Sequence, residues 1–187
     1  MWVFGAGDDA QPLLELAKNL GWFCVLADGR AHLVTRERFP RADGLYHLPV
    51  KELPANHAAG RPSALAGLQP QDAAVVMTHS FEQDSRVLAS LRTIEVPLAY
   101  VGVLGPQRRT RELLIEAARL LDLPAVSSEA LVEGWLAELH APTGLDLGRE
   151  SPEIIALSIV AEIQQCFAHT TGLPLREVRP ALAAISN

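Results

Sequence analysis

The sequence predicts a three-layer α/β fold, a single domain built on a doubly wound, mostly parallel sheet. Three observations carry that prediction. Short apolar runs alternate with stretches of helical period along most of the chain. The first thirty residues read as strand, glycine turn, helix, strand and acid. The apolar runs 73–77 and 98–101 each lead through a polar or glycine-containing turn into another amphipathic helix.

The opening unit is the most informative. Trp2 to Phe4 is an apolar run that stops at Gly5-Ala6-Gly7, and Leu13, Leu16, Ala17 and Leu20 then recur at helical spacing until Gly21. Trp22 to Ala27 forms a second apolar run, closed by Asp28-Gly29-Arg30. Gly5-x-Gly7-x-x-Ala10 between strand and helix is a Rossmann-type fingerprint, with Asp28 near the position that accepts a ribose hydroxyl. The glycines allow a tight turn and a close backbone approach, and the helix start offers N–H groups to an anion. Asp8 and Asp9 sit where a pyrophosphate would lie and would repel it; the reading that needs no ligand is that they cap the helix.

The stretch 29–62 has little periodicity. Gly44 to Leu48 is the candidate third strand, and 60–67 a candidate short helix. Ala73 to Met77 forms a buried strand that runs into Thr78-His79-Ser80, and Phe81, Val87, Leu88 and Leu91 mark the inner face of the next helix. Leu98 to Val101 is a further strand, followed by Gly102 to Thr110 and a helix carrying Leu113, Leu114, Ala117, Ala118 and Leu121. Right-handed crossovers bring the ends of the first, fourth and fifth strands to one edge, the side where such sheets bind ligands. After a helix over 128–138 comes a loop, 139–148. Ser151-Pro152-Glu153 then opens a long helix with a capping serine and a proline at its first position. Its body from Ile154 to Ile163 is apolar nearly all round, which predicts burial on two sides and suits a homodimer contact. The Rossmann-like domain spans 1–169; residues 170–187 are expected to be an extension, packed on it or partly extended.

Composition narrows the classes. The chain has 187 residues, 49% hydrophobic and 20% charged, with a net charge of −6. That describes a globular chain with a sizeable core and without the basic stripe of a nucleic-acid binder. No apolar stretch reaches the roughly 18 residues of a membrane span, and the first strand leaves no room for a signal peptide. Cys24 and Cys166 have no paired spacing, so they read as free thiols of a reducing, cytoplasmic compartment, packed in the core or a helix.

Four segments together resemble the C-terminal Rossmann domain of the XdhC/CoxI family. They are Phe4 to Gly7, Met77 to Ser80, Tyr100 to Thr110, and Leu139 to Gly148 leading into Ser151-Pro152-Glu153. Members of that family are maturation factors for molybdenum hydroxylases such as xanthine dehydrogenase and carbon monoxide dehydrogenase. They bind molybdenum cofactor, protect it and pass it to the target apoenzyme, often after its sulfuration. The resemblance implies molybdenum cofactor (molybdopterin, possibly as a dinucleotide) as ligand and a xanthine dehydrogenase-like molybdoenzyme as partner. The role it implies is that of a cofactor-binding chaperone rather than an enzyme. Longer members carry a further N-terminal domain with a glycine-rich segment and a cysteine suited to the cofactor's metal. By the same resemblance, Gly5, Gly7 and Asp28 line the crevice from the first unit, and Thr78 and His79 from the fourth strand. Gly102, Gly105, Arg108 and Arg109 line it from the fifth, while the segment Pro142, Gly144, Asp146 closes it.

Each site residue also has a plainer reading. His79 can donate to a phosphate or act as acid or base, or it can satisfy nearby backbone. Thr78 and Ser80 suit helix capping as well as ligand contact. Arg108 or Arg109 can clamp a phosphate, or both can be solvated surface. Asp28 and Arg30 suit ribose or a charged group there, or turn chemistry after the strand. His140 and Asp146 flank a loop that either shapes the site or supplies an acid. No nucleophile–base pair, metal cluster or paired carboxylates can be assigned, so no catalytic or metal residues are expected. A nicotinamide-dependent oxidoreductase using NAD(P) in the same crevice is the alternative, and a scaffold that only dimerises is a third.

Overall fold

The computed structural model describes residues 1–53, 65–94, 98–123 and 128–178. Its centre is a five-stranded, all-parallel sheet: β1 (Trp2–Phe4), β2 (Val25–Asp28), β3 (Gly44–His47), β4 (Ala73–Val76) and β5 (Tyr100–Val103). The strand order is β3-β2-β1-β4-β5. β1 lies in the middle, with Val3 opposite Leu26 on one side and Val75 on the other. The chain winds outward from β1 through β2 to β3, returns beside β1 as β4, and winds outward again to β5. The strand order therefore reverses between β1 and β4, which opens a crevice at their carboxyl ends.

Helices cover both faces. α1 (Ala10–Asn19) and α5 (Pro152–Ala168) pack on each other on one face, while α2 (Phe81–Arg92), α3 (Gln107–Leu120) and α4 (Ser128–Glu138) stack on the other. The pleat sorts side chains between the two layers. Trp2, Phe4, Val25, Ala27 and Val76 join the α2–α3–α4 core, and Val3, Leu26, Val75, Met77 and Tyr100 join the α1–α5 core. Both faces being covered, the strands read as continuous apolar runs and not as alternating ones. Fully burying a Leu or Phe contributes about 1.5–3 kcal/mol, so these two layers carry most of the fold's stability.

The sequence placed β2 and β5 two to three residues too early. Trp22 instead wraps the end of α1, donating its N–H to the Ala17 carbonyl, and Phe23 is exposed. At β5 the pairing starts where Tyr100 meets Ala73 on β4. α5 begins as expected, with Ser151 accepting from the Ile154 N–H and Pro152 first in the helix. It is not buried all round. Ala156, Ile159, Val160 and Ile163 face inward, but Leu157 stays 45% exposed, because an outer-layer helix meets neighbours on one side only. The tail contains a short exposed helix, α6 (Leu175–Val178). Most of the candidate helix over 60–67 lies outside the described residues. Among those described, no helix is long and apolar enough to cross a membrane.

Candidate functional site

The turns after β1, β2 and β4 meet at the carboxyl-end rim. Gly5 adopts a φ of 135°, and a Cβ there would collide with the Met77 carbonyl after β4, so the two turns touch backbone to backbone. A cavity of about 330 Å³ opens beside them, lined by Arg30, Thr78, His79 and Gln83 with Pro49 and Val50 as an apolar wall. A slightly larger cavity, about 390 Å³, lies between α2, α4 and β5 among Leu88, Leu91 and Trp135. The rim is the better site, since it lies at the strand-order reversal where the turns after β1, β2 and β4 meet.

Three carboxylates shape this rim. Asp28 is fully buried. Its Oδ2 accepts from the Ala6 N–H at 2.7 Å and from Arg30 Nη2 at 2.7 Å; its Oδ1 accepts from the Arg30 N–H at 2.8 Å and Arg30 Nε at 3.0 Å. Burial alone would raise its pKa, but the Arg30 and Ala6 hydrogen bonds outweigh it and hold the carboxyl below the ordinary range. Arg30 reaches on to the Thr78 carbonyl at 3.3 Å, tying the β2 turn to the β4 turn.

Asp84, also fully buried, does the same one strand further on. Oδ1 takes the Thr78 hydroxyl at 2.6 Å and the Thr78 N–H at 3.2 Å, while Oδ2 takes Arg109 Nη2 at 2.6 Å. It thereby links the β4 turn to α3.

Asp9 is wired differently. Its Oδ2 lies 2.7 Å from His79 Nε2, while its Oδ1 is buried with no hydrogen-bond partner among the described residues. A Cβ at Gly7 would sit 2.6 Å from that oxygen and 3.8 Å from the His79 ring, so the three residues share one corner. His79 holds a left-handed φ of 63°, rare for a non-glycine residue and recurrent at functional sites. Its side chain is 59% exposed.

The helix-capping reading of the acid pair is corrected by these contacts. Asp9 occupies the N-cap of α1 in an αR conformation and makes no side-chain cap bond. Asp8 pairs with Arg38 at 2.7 Å and accepts from Gln11 at 3.3 Å. Long-range partners were available and outcompeted the local backbone.

Of the expected site residues, Arg30, Thr78 and His79 line the rim cavity; Gly5 and Gly7 sit in the β1 turn beside it, Gly105 lies in the turn after β5, and Arg109 is held by Asp84. Gly105 takes a φ of 114° in the turn before α3. Arg108 is exposed beside Glu112, and Ser80 caps α2 through the Gln83 N–H. Gly102 lies within β5, where a Cβ would strike the Tyr100 ring and Thr143 Oγ1, so it makes room for side chains. The segment with Pro142, Gly144 and Asp146 is fastened to β5 and α5: Thr143 donates to the Val103 carbonyl, Gly144 to Glu162 and Leu145 to the Ser158 carbonyl. Pro142 and Asp146 are exposed, and neither lines the rim cavity.

Sequence reasoning passed over Asp84, Gln83 and Arg38. Asp84 had a signal: it falls on the stripe of Val87, Leu88 and Leu91, where an acid must be buried and therefore paired. Arg38, which holds the Ala6 carbonyl at 3.2 Å as well as Asp8, lies in an aperiodic loop and had none.

A parallel sheet reversing beside β1, with a glycine turn and a polar cavity at that reversal, defines a Rossmann-type domain. Comparison with known proteins makes the assignment specific. The XdhC Rossmann domain matches residues 1–163, and the chain belongs to that family. It is 34% identical over 165 residues to a probable xanthine dehydrogenase subunit from Bacillus subtilis (strain 168), covering 87% of this chain and 41% of that one. It is 28% identical to the uncharacterized protein YqeB of Escherichia coli (strain K12), covering 91% of this chain and 28% of the other. Among solved structures, a xanthine dehydrogenase from Bacillus halodurans superposes with a TM-score of 0.63 at 28% identity, over 95% of this chain and 45% of that one. The chain thus spans less than half the length of each of these relatives.

Proposed function

We propose that this domain binds molybdenum cofactor, or its nucleotide form, at the rim and assists its delivery to a molybdenum hydroxylase of the xanthine dehydrogenase type. Family membership and the names of the relatives support the partner class. The observation that carries the ligand is Asp9. A buried carboxylate oxygen with no donor favours a ligand edge bearing N–H groups, as a pterin does, and disfavours a bare pyrophosphate in the same corner.

The residues present fit such a group. Asp9, whose carboxylate has room to turn because Gly7 lacks a Cβ beside it, would swing its free oxygen outward to accept from the ring edge. His79, when doubly protonated, donates one N–H to Asp9 and the other to a ligand oxygen. Arg30, 42% exposed at its side chain, supplies positive charge for a phosphate. When bound, the cofactor supplies the molybdenum chemistry of the target enzyme; this chain's part is to hold and shield it. The NAD(P) alternative is the weaker one, because Asp28 has both oxygens engaged and none turned to a ribose.

The test is thermal stabilisation of the purified chain by molybdenum cofactor released anaerobically from a molybdoenzyme, against NAD(H), NADP(H), and cytidine and guanosine nucleotides. Cofactor at about a hundred times its Kd should add roughly 2.7 kcal/mol. His79→Ala and Asp9→Ala should abolish most of that shift. A response to NAD(H) with none to the cofactor overturns the proposal.

A further inference from the structure

Outside the rim cavity, between the outer edge of β5 and α5, five polar side chains join in a chain centred on Glu162. Its Oε2 accepts from the Tyr100 hydroxyl at 2.6 Å and from the Gly144 N–H at 2.7 Å, and its Oε1 lies 3.1 Å from His140 Nδ1. Tyr100 also meets Thr143 Oγ1 at 2.5 Å, and its ring stacks on the His140 imidazole at 4.2 Å between centroids. The other imidazole nitrogen, His140 Nε2, lies 3.8 Å from Cys166 Sγ. Cys166 follows Glu162 by four residues, so both stand on one face of α5.

This is the arrangement of a nucleophile, a base and a group that orients the base. Burial would push the Glu162 carboxyl up, but its bonds from His140, Tyr100 and Gly144 hold it below the ordinary range. An ionised Glu162 takes the proton-bearing nitrogen, so Nδ1 carries the hydrogen and the Nε2 lone pair faces the thiol. Burial, then the Glu162 charge, raise the Cys166 thiol, so at rest it is the S–H donor to Nε2. Cys166 is partly exposed and the His140 side chain 33% exposed, so a small reagent can reach them.

The geometry points to Cys166 as a base-assisted thiol that exchanges with small disulfides, with His140 as base and Glu162 as the positioning residue. In the step, the Cys166 S–H proton passes to His140 Nε2 and the sulfur attacks one sulfur of R–S–S–R′. The Cys166–S–S–R bond forms, the original S–S bond breaks, and R′–S⁻ takes the proton from His140 and leaves as R′–SH. The Cys166 sulfur is oxidised to the disulfide level and the R′ sulfur reduced, so no other oxidant is needed. Acyl transfer fits less well, because it requires free N–H donors for an oxyanion and the Gly144 N–H is committed to Glu162. A metal also fits less well: among the described residues, no three His, Cys, Asp or Glu side chains are grouped to hold one.

The experiment is reaction of the native full chain with 2,2′-dithiodipyridine, with thione release followed in time and the adduct mapped by mass spectrometry. Cys24 is the internal control, since it is fully buried and burial pushes its pKa to about 11. One equivalent is expected at Cys166 near neutral pH in the native chain, with Cys24 reacting only after unfolding in urea. Cys24→Ser should keep the fast phase and Cys166→Ser remove it. His140→Gln should slow it about tenfold and leave a rate that climbs with pH through the thiol range, and Glu162→Gln should do so more mildly. A native Cys166 that reacts no faster than Cys24 overturns the proposal, whatever the variants do. So does a fast phase whose rate and pH profile are unchanged in a folded His140→Gln protein.

Discussion

Asp28 and Asp84 on one side, and Asp9 on the other, stand on the same rim and are used in opposite ways. The first two are fully buried, and each spends both oxygens on an arginine and on backbone or hydroxyl donors. They fasten neighbouring turns: Asp28 the turns after β1 and β2, Asp84 the β4 turn and α3. Asp9 spends one oxygen on a half-exposed histidine and keeps the other without a donor among the described residues. A buried acid on a ligand rim is therefore not a ligand group by virtue of its position. Under the proposed function, a contact is marked by unfilled hydrogen-bonding capacity.

The comparison can be broken at several points. The largest effect is expected at Asp84→Ala. It strands the Arg109 guanidinium and the Thr78 hydroxyl and N–H, and should cost about 3 kcal/mol in urea unfolding. A loss under about 1 kcal/mol would mean that Asp84 fastens nothing.

Asp28→Asn should cost less, about 2 kcal/mol, because the amide keeps an acceptor for the Ala6 N–H. Its pH dependence is the sharper readout. The folded-state pKa of Asp28 lies below the ordinary value of 3.8, so its contribution is present above that value and lost as pH falls through the folded one. The stability gap between wild type and Asp28→Asn should close at acid pH; a constant gap would show that the ionised form is not what matters.

His79→Gly should leave stability within about 1 kcal/mol, since glycine relieves the left-handed backbone while the exposed ion pair is worth little. Cofactor retention should fall nonetheless. A loss above about 2 kcal/mol would move His79 into the same class as Asp28 and Asp84.

The smallest change in stability is expected for Asp9→Asn, under about 0.5 kcal/mol, with anionic nucleotides binding more tightly once the charge is gone. Unchanged nucleotide binding in a titration would remove the argument from repulsion.

Much of the architecture was legible in the chain. The glycine turn after Trp2–Phe4, the run into Thr78-His79-Ser80 and the capped start at Ser151-Pro152 announced the β1, β4 and α5 units. Parallel topology then put Gly7, His79 and Gly105 at one end of the sheet. The roles of the acids were not legible. Asp28 satisfies the motif position for a ribose yet is sealed by Arg30, and Arg109 meets a carboxylate of this chain where an anion was expected. The one-sided burial of α5 was equally hidden, since an apolar composition does not say how many neighbours a helix has.

Strand and helix identity come from short-range physics: the alternation or helical period of apolar residues, capping side chains and turn glycines act within a few positions. By those means the sequence alone determined an α/β fold with a mostly parallel sheet and strand ends gathered at one rim. Which groups pair with one another depends on which turns the strand order makes neighbours, and several of the partners lie far apart in the chain. Asp9 and His79 are 70 residues apart, Asp84 and Arg109 are 25 apart. Only the folded sheet could decide which carboxylates are spent on structure and which keep capacity for a ligand.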